Sequence, residues 1–357
     1  MRLLIIQSYG SKLAVRDGIF ELTLVEDKCL KKQDIAPSEL SAIWIQNGCN
    51  LTTAAIALAT EHNIDLLLLN GLGVPIGRWL PSKPTNIVTM QRAQLLAYQD
   101  EQAVSFVKLW IAEKMQNQAD FLKSCAAYPR KSDPTKVERL QKSITQIESY
   151  RQKILLLQAT QINDIAETIR GIEGAAGRAY FQAITTLLPE RYHFEQRNRF
   201  PATDAFNSCL NYAYAVLYNK IESAILKVGL NPYAGFLHSD GHQQLSMVYD
   251  FVEPFRIMVE VPIFTLFSSK TITQAHFDDS NKEKLWLSKA GKILIINILQ
   301  DYLKEKTVLF ENKKTNREQL IFRKTQLFAH QLLAAYQQKK ACTISIADIE
   351  NTNKIAA

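Results

Sequence analysis

A chain of 357 residues, 47% hydrophobic and 22% charged, has the length of two domains and a composition that excludes low-complexity, collagen-like and disordered classes. Its five cysteines, Cys29, Cys49, Cys125, Cys209 and Cys342, form no C-x-x-C pair, which argues against a zinc ribbon or a dithiol redox centre and for a reducing, cytoplasmic setting. Net charge is +7, and residues 281–340 carry 13 Lys and Arg against five Asp and Glu, a basic excess that suits nucleic acid first, an anionic membrane second, or simply a solvated helix face.

Only four apolar residues, 3–6, follow Arg2, too few for a secretory signal, and no run approaches the roughly 20 apolar residues of a membrane helix. The expectation is a soluble protein with no membrane partner. Residues 3–6, 13–15 and 19–25 have the period-two, β-branched character of half-buried strands, with Arg16-Asp17-Gly18 as the turn between the second and third. Residues 42–46 add a strand. Asn50 or Thr52 can cap a short helix over 53–61, and 64–69 is a continuous apolar strand before a turn at Gly71 and Gly73. Gly71, Gly73 and Gly77 superficially suggest a dinucleotide turn. Their spacing is one residue too long, and Pro75 and Pro81 stand where a helix should begin.

The fold class expected is therefore α+β. A small, mostly β, sandwich-like domain over 1–80 is followed by a linker at 81–86, a larger all-α catalytic domain over 87–340 and a short tail at 341–357. Apolar residues three and four apart place helices over 93–116, 137–161, 162–188, 205–228, 244–266, 282–306 and 315–340.

Three potential ligands lie in separate compact motifs. Glu173 sits among Gly171, Gly174 and Gly177 on one predicted helix. Three glycines in seven residues cost about 1 kcal/mol each against alanine there, so the backbone should be approached closely by another helix or by a phosphate chain. A solvent-facing glutamate remains the plainer reading. His238 follows Gly235 in an extended loop, where it is either polar surface or a ligand; a zinc pair with His242 is disfavoured by Gly241 between them. Asp250, Glu253 and Arg256 recur every three residues on one helix face, amid Met247, Val248, Phe251 and Phe255, so their carboxylates should be buried and in need of a cation, and Pro254 should kink the helix. Two carboxylates and an imidazole suit Mg2+ or Mn2+. Between these motifs Arg191, Arg197 and Arg199 interleave with Tyr192, Phe194 and Phe200, as a nucleic-acid groove or an ordinary ion-paired loop would have them.

Taken together, G-I-E-G-A-A-G-R-A-Y-F at 171–181, R-N-R-F-P-A-T-D-A-F-N at 197–207, L-N-P-Y-A-G-F-L-H at 230–238 and Y-D-F-V-E-P-F-R at 249–256 resemble the motifs of the CRISPR-associated integrase family, over nearly the whole chain. Lys114, Asn117 and Gln118 are similar to its first long helices. Glu260-Val261 departs from the aspartate of many relatives, and the loop after His238 is slightly longer than usual. The resemblance implies a metal-dependent endonuclease that inserts spacers into CRISPR arrays, with Glu173, His238 and Glu253 as ligands of Mg2+ or Mn2+ and Asp250 as a supporting catalytic carboxylate. It implies DNA contacts at Arg197 and Arg199; Arg178, Arg191, Asn207, Arg256 and the basic-helix residues Lys289 and Lys292 complete the candidate set. It implies double-stranded DNA as substrate and a homodimer joined through the β domain. Two such dimers would form a heterohexamer with a dimer of a small ferredoxin-like CRISPR-associated partner nuclease. A structure-selective DNA repair nuclease and a non-catalytic DNA-binding assembly subunit are the alternatives.

Overall fold

The computed structural model describes residues 2–26, 29–71, 73–79, 87–127, 134–198, 202–238, 244–278, 284–305 and 307–355, without the side chains of 2, 26, 134 and 341–355. The chain divides into two compact units, Met1–Pro84 and Thr85–Ala357. The expected linker, 81–86, lies outside the described residues.

The first unit comprises β1 (Arg2–Ile6), β2 (Lys12–Arg16), β3 (Ile19–Glu26), β4 (Cys29–Ile35), β5 (Leu40–Gln46), β6 (Asn50–Leu51), α1 (Thr53–Glu61), β7 (Asp65–Leu69) and β8 (Pro75–Trp79). They form two four-stranded sheets, ordered β1-β5-β7-β8 and β4-β3-β2-β6. Ile6, Ile43, Ile45 and Leu66 of one sheet, Leu13, Phe20, Leu22 and Ile35 of the other, and Ala55 and Ala59 of α1 share one core. Asp17 and Gly18 both take positive φ, the conformation that a two-residue hairpin requires of its twist, and they join β2 to β3. Thr52 caps α1 by accepting from the Ala55 N–H at 3.2 Å, while Asn50 belongs to β6. Besides the two-residue β6, two strands escape the sequence pattern. β4 reads C-L-K-K-Q-D-I, and its first six residues are exposed on a sheet edge, where polar side chains are the rule. β8 starts at Pro75 on the other sheet's edge, fixed by a buried Arg78–Asp65 ion pair at 2.6 Å. Gly77 faces Leu68 inside that strand, in extended backbone rather than in a turn.

The second unit holds α2 (Ile87–Tyr98), α3 (Glu101–Ala127), α4 (Pro134–Leu156), α5 (Ala166–Leu187), α6 (Ala205–Lys227), α7 (Ser246–Phe251), α8 (Ile257–Ser268), β9 (Phe277–Asp278), β10 (Trp286–Leu287), α9 (Lys289–Lys304), β11 (Val308–Phe310), β12 (Lys313–Thr315) and α10 (Arg317–Ile355). The unit is helical but not purely so, because β9–β10 and β11–β12 form two short antiparallel pairs. The helix expected over 93–116 is two, since the Asp100 carboxylate accepts from the Gln102 N–H at 2.7 Å and starts α3 afresh. Pro254 breaks the expected 244–266 helix as anticipated. A 3-10 turn, Glu253–Phe255, separates α7 from α8, and Asn117 of α3 donates to the Pro254 carbonyl at 2.9 Å. α10 carries helical backbone to Ile355, through the segment expected to be a tail.

α3 runs through the middle of this unit with Val107, Trp110, Ile111, Met115 and Leu122 buried. Trp110 stacks on Phe236 (6.0 Å) and meets Phe251 (5.3 Å) and Phe328 of α10 (5.1 Å) edge-on. Phe236 lies two residues before His238 and Phe251 next to Asp250, so this aromatic cluster is the bed under both site residues. Phe328→Ala should cost about 3–5 kcal/mol in urea unfolding of the helical unit, through the lost aromatic burial and the cavity left behind.

Candidate active site

Glu173 projects from α5, Lys114 from α3 and Glu253 from the 3-10 turn. The Lys114 ammonium contacts Glu173 Oε1 and stands 2.6 Å from Glu253 Oε2, so two carboxylates remote in sequence share one cation. Glu253 is 2% exposed and Glu173 26% at the side chain. Arg256 takes the other face of Glu253, its Nη2 and Nε donating to Oε1 at 2.6 and 2.9 Å, and its Nη1 donates to the Tyr218 hydroxyl at 3.1 Å. Burial alone would raise the Glu253 carboxyl; Arg256 and then Lys114 outweigh it and hold the group at about 2. Burial opposes charge on Lys114 too, and Glu173 and Glu253 overcome it, keeping the ammonium protonated. The set of three residues expected at i, i+3 spacing thus divides into a clamp, Glu253–Arg256, and a separate partner for histidine.

That partner is Asp250, which is 2% exposed. Its Oδ2 accepts from the N–H groups of Phe236 (2.5 Å) and Leu237 (2.9 Å), and its Oδ1 from the His238 N–H (3.0 Å) and from His238 Nδ1 (2.5 Å). With its oxygens occupied, Asp250 is a positioning residue rather than the catalytic carboxylate expected. Its bond to Nδ1 fixes the orientation of the His238 ring, and among the described residues no hydrogen bond engages Nε2. The loop reaches Asp250 only because residue 235 is glycine; a Cβ there would lie 2.6 Å from Ser246 Cβ and 2.9 Å from Asp250 Oδ2.

Glu173, Lys114, Arg256 and His238 line one cleft of about 750 Å³, with Tyr214 and Tyr218 of α6 and Tyr249 of α7 as its aromatic wall. Tyr214 donates to the buried Glu260 at 2.5 Å. Among the described residues no three His, Cys, Asp or Glu side chains already converge as a cage for a metal. The donor chemistry nevertheless fits a hard or borderline dication, and the Lys114 ammonium is a positive charge held where the two glutamates meet. Lys114 was legible as a motif residue but not as their common counterion, because an ion pair across helices leaves no local spacing to read.

The candidate DNA contacts scatter into several environments. Arg178 is exposed and lines the cleft. Arg197 also lines it, held by Asn207 Oδ1 (2.8 Å) and Asn211 Oδ1 (2.6 Å) and over the Tyr214 ring. Arg191 is exposed at a distance from these residues, stacked on Tyr192, and Lys289 and Lys292 stand on the first turn of α9. Arg199 lies outside the described residues. Two expectations are corrected. Asn207 is fully buried, its side chain spent on Arg197, the Gln196 carbonyl (3.0 Å) and the Asp204 cap (2.6 Å), so it shapes the arginine loop and has no face for DNA. Arg256 is committed to Glu253 rather than to phosphate. Of the two partners expected for the glycines of α5, the helix is ruled out among the described residues, where none approaches them. A Cβ at 171 or 177 would meet nothing within 4 Å, and one at 174 only Arg178 Nη1 at 3.7 Å. Gly174 and Gly177 are open floor of the cleft.

A family model described as CRISPR associated protein Cas1 matches residues 4–301. The chain belongs to the Cas1 family. It is 29% identical to a CRISPR-associated endonuclease Cas1 of Archaeoglobus fulgidus, over 83% of this chain and 87% of that protein. It is 34% identical to another of Saccharolobus solfataricus, over 73% of each. Among solved structures, a casposase bound to integration product superposes with a TM-score of 0.75 at 25% identity, covering 94% of this chain and 91% of the casposase. A Cas1 protein of Thermotoga maritima shares the fold with a TM-score of 0.73 at 21% identity, over 93% and 97% of the two chains.

Two outcomes follow for this Cas1 chain. Gly235→Ala should lower unfolding stability by about 1–3 kcal/mol, as overpacking does, whereas Gly177→Ala, on open helix surface, should raise it by up to about 1 kcal/mol; chemical denaturation of both compares them. Because the folded Glu253 lies below its unfolded value of 4.5, its contribution is complete above that pH and is lost as pH falls towards about 2. Wild type should therefore lose more stability over that window than Glu253→Gln, measured by denaturation at stepped pH.

Proposed function

We propose that this protein is a metal-dependent DNA endonuclease and integrase of CRISPR adaptation, inserting short duplexes into the array by attack of a 3′-hydroxyl on a phosphodiester. The observation that carries the reading is the pairing of two carboxylates, Glu173 and the buried Glu253, on one cation, Lys114, which lines a single cleft together with Glu173 and His238. Glu173, Glu253 and His238 would hold Mg2+ or Mn2+, which when bound supplies Lewis-acid polarisation of the phosphodiester and relief of the charge that grows on its oxygens.

The chain's own groups do the rest. Asp250 keeps the His238 ring turned to the cleft, and Arg256 keeps Glu253 charged and aimed. Arg178 and Arg197 line the cleft as partners for phosphate oxygens, with guanidinium forks matched to that geometry. Gly174 and Gly177 leave the floor low enough for a sugar–phosphate chain to lie close to Glu173. A 3′-hydroxyl placed there gives strand transfer and a water gives a nick, so positioning of the DNA end selects the outcome.

Likeness to a casposase bound to its integration product supports integration over plain hydrolysis. The family supports the assembly: a homodimer through the strand-rich unit, and two dimers on a dimer of the small ferredoxin-like partner nuclease, Cas2. A chain of like fold, with a TM-score of 0.71 at 20% identity, comes from a complex named Cas6-RT-Cas1–Cas2. Among the described residues no helix is long and apolar enough to cross a membrane.

The test is joining of a short 3′-hydroxyl duplex to a supercoiled plasmid carrying the array, with the partner nuclease and Mn2+. Glu173→Ala and His238→Ala should each lose joined product by about a hundredfold or more while retaining DNA binding by gel shift. Wild type that nicks without joining would favour a repair-type nuclease, and joining that survives both substitutions would refute the site.

A further inference from the structure

We propose that Lys114 is the resident counterion of the site and that a divalent cation enters by taking its place, an inference that rests on the metal-binding role assigned above to Glu173, Glu253 and His238. The ammonium donates to Glu173 and stands in ion-pair contact with Glu253 Oε2 at 2.6 Å. A dication held by these two carboxylates would compete with the ammonium for the same oxygens. Two positive charges cannot both stay in contact with those oxygens, least of all where the lysine side chain is only 9% exposed and water screens little.

The charges of the cluster point the same way. Two carboxylates, Glu173 and Glu253, face two cations, Lys114 and Arg256, and balance them, while Asp250 is turned to His238. A dication added beside Lys114 would leave that cluster at +2. A dication in place of Lys114 halves the excess to +1. Glu253 is not stripped by the exchange, since Arg256 still holds its Oε1 through two N–H groups. The displaced lysine has a way out, because it already lines the cleft and its stem leads from α3 into that space. Lys114 therefore acts through the glutamates as a positioning residue, keeping two mutually repelling carboxylates assembled until the metal arrives.

Calorimetric titration of Mn2+ into wild type, Lys114→Met and His238→Ala, with melting temperatures in chelator and in Mn2+, tests the exchange. Lys114→Met should melt lower than wild type in chelator, bind Mn2+ at least about tenfold more tightly because the competitor is gone, and gain more melting temperature from the metal. Equal or weaker binding by Lys114→Met, with wild-type binding that His238→Ala weakens, overturns the exchange and leaves the metal site standing. No Mn2+ binding by wild type or Lys114→Met overturns both. Should Lys114→Met fail to fold, acetylation of wild type by an N-hydroxysuccinimide ester, mapped by mass spectrometry, decides. Mn2+ should raise labelling of Lys114 relative to Lys220, and unchanged labelling overturns the exchange.

Discussion

The arrangement of the helical unit turns on the buried charge of Glu253. A carboxylate almost sealed from water is tolerated only with a cation against it, and here one comes from its own turn, Arg256, and one from α3, Lys114. The second cation ties elements that local sequence does not connect: α3, the 3-10 turn after α7, and α5 through Glu173. Asn117, one turn along α3 from Lys114, repeats the tie by bonding the Pro254 carbonyl. The proline break is therefore a site feature as much as a fold feature, because without it Glu253 would continue α7 and could not turn to meet α3.

Much of this was readable where physical chemistry is local. The Asp17-Gly18 turn, the Thr52 cap and the Pro254 break each depend on one or two residues and their immediate backbone, and each is present. Glu173, His238 and Glu253 were found by motif, and the first and last meet at Lys114 while His238 lines the same cleft. What the pattern hid is of two kinds. β4 is polar along an exposed edge, so no alternation marks it. The division of labour among Asp250, Glu253 and Arg256 is set by groups far away in the chain, three backbone amides and His238 for one, α3 for another, and a helical wheel carries no trace of them.

Arginine is the residue type that separates the sequence view from the structural one. Written in a row, Arg178, Arg191, Arg197 and Arg256 look alike as phosphate partners. In the fold Arg256 is consumed by a carboxylate, Arg197 is braced by two asparagines, and Arg178 and Arg191 remain exposed. Bracing has its own value, since a guanidinium already held in place loses less freedom when it meets an anion than one on a loose stem.

Phe236, Leu237 and His238 are joined by four hydrogen bonds to the single carboxylate of Asp250, and Gly235 before them is a position too tight for a side chain. Loop and helix start therefore behave as one cassette that travels whole. Transplanting the histidine alone onto another helical scaffold would leave its ring free to spin. An engineer who wants this imidazole must carry over the glycine, the aspartate and the aromatic bed on which they rest.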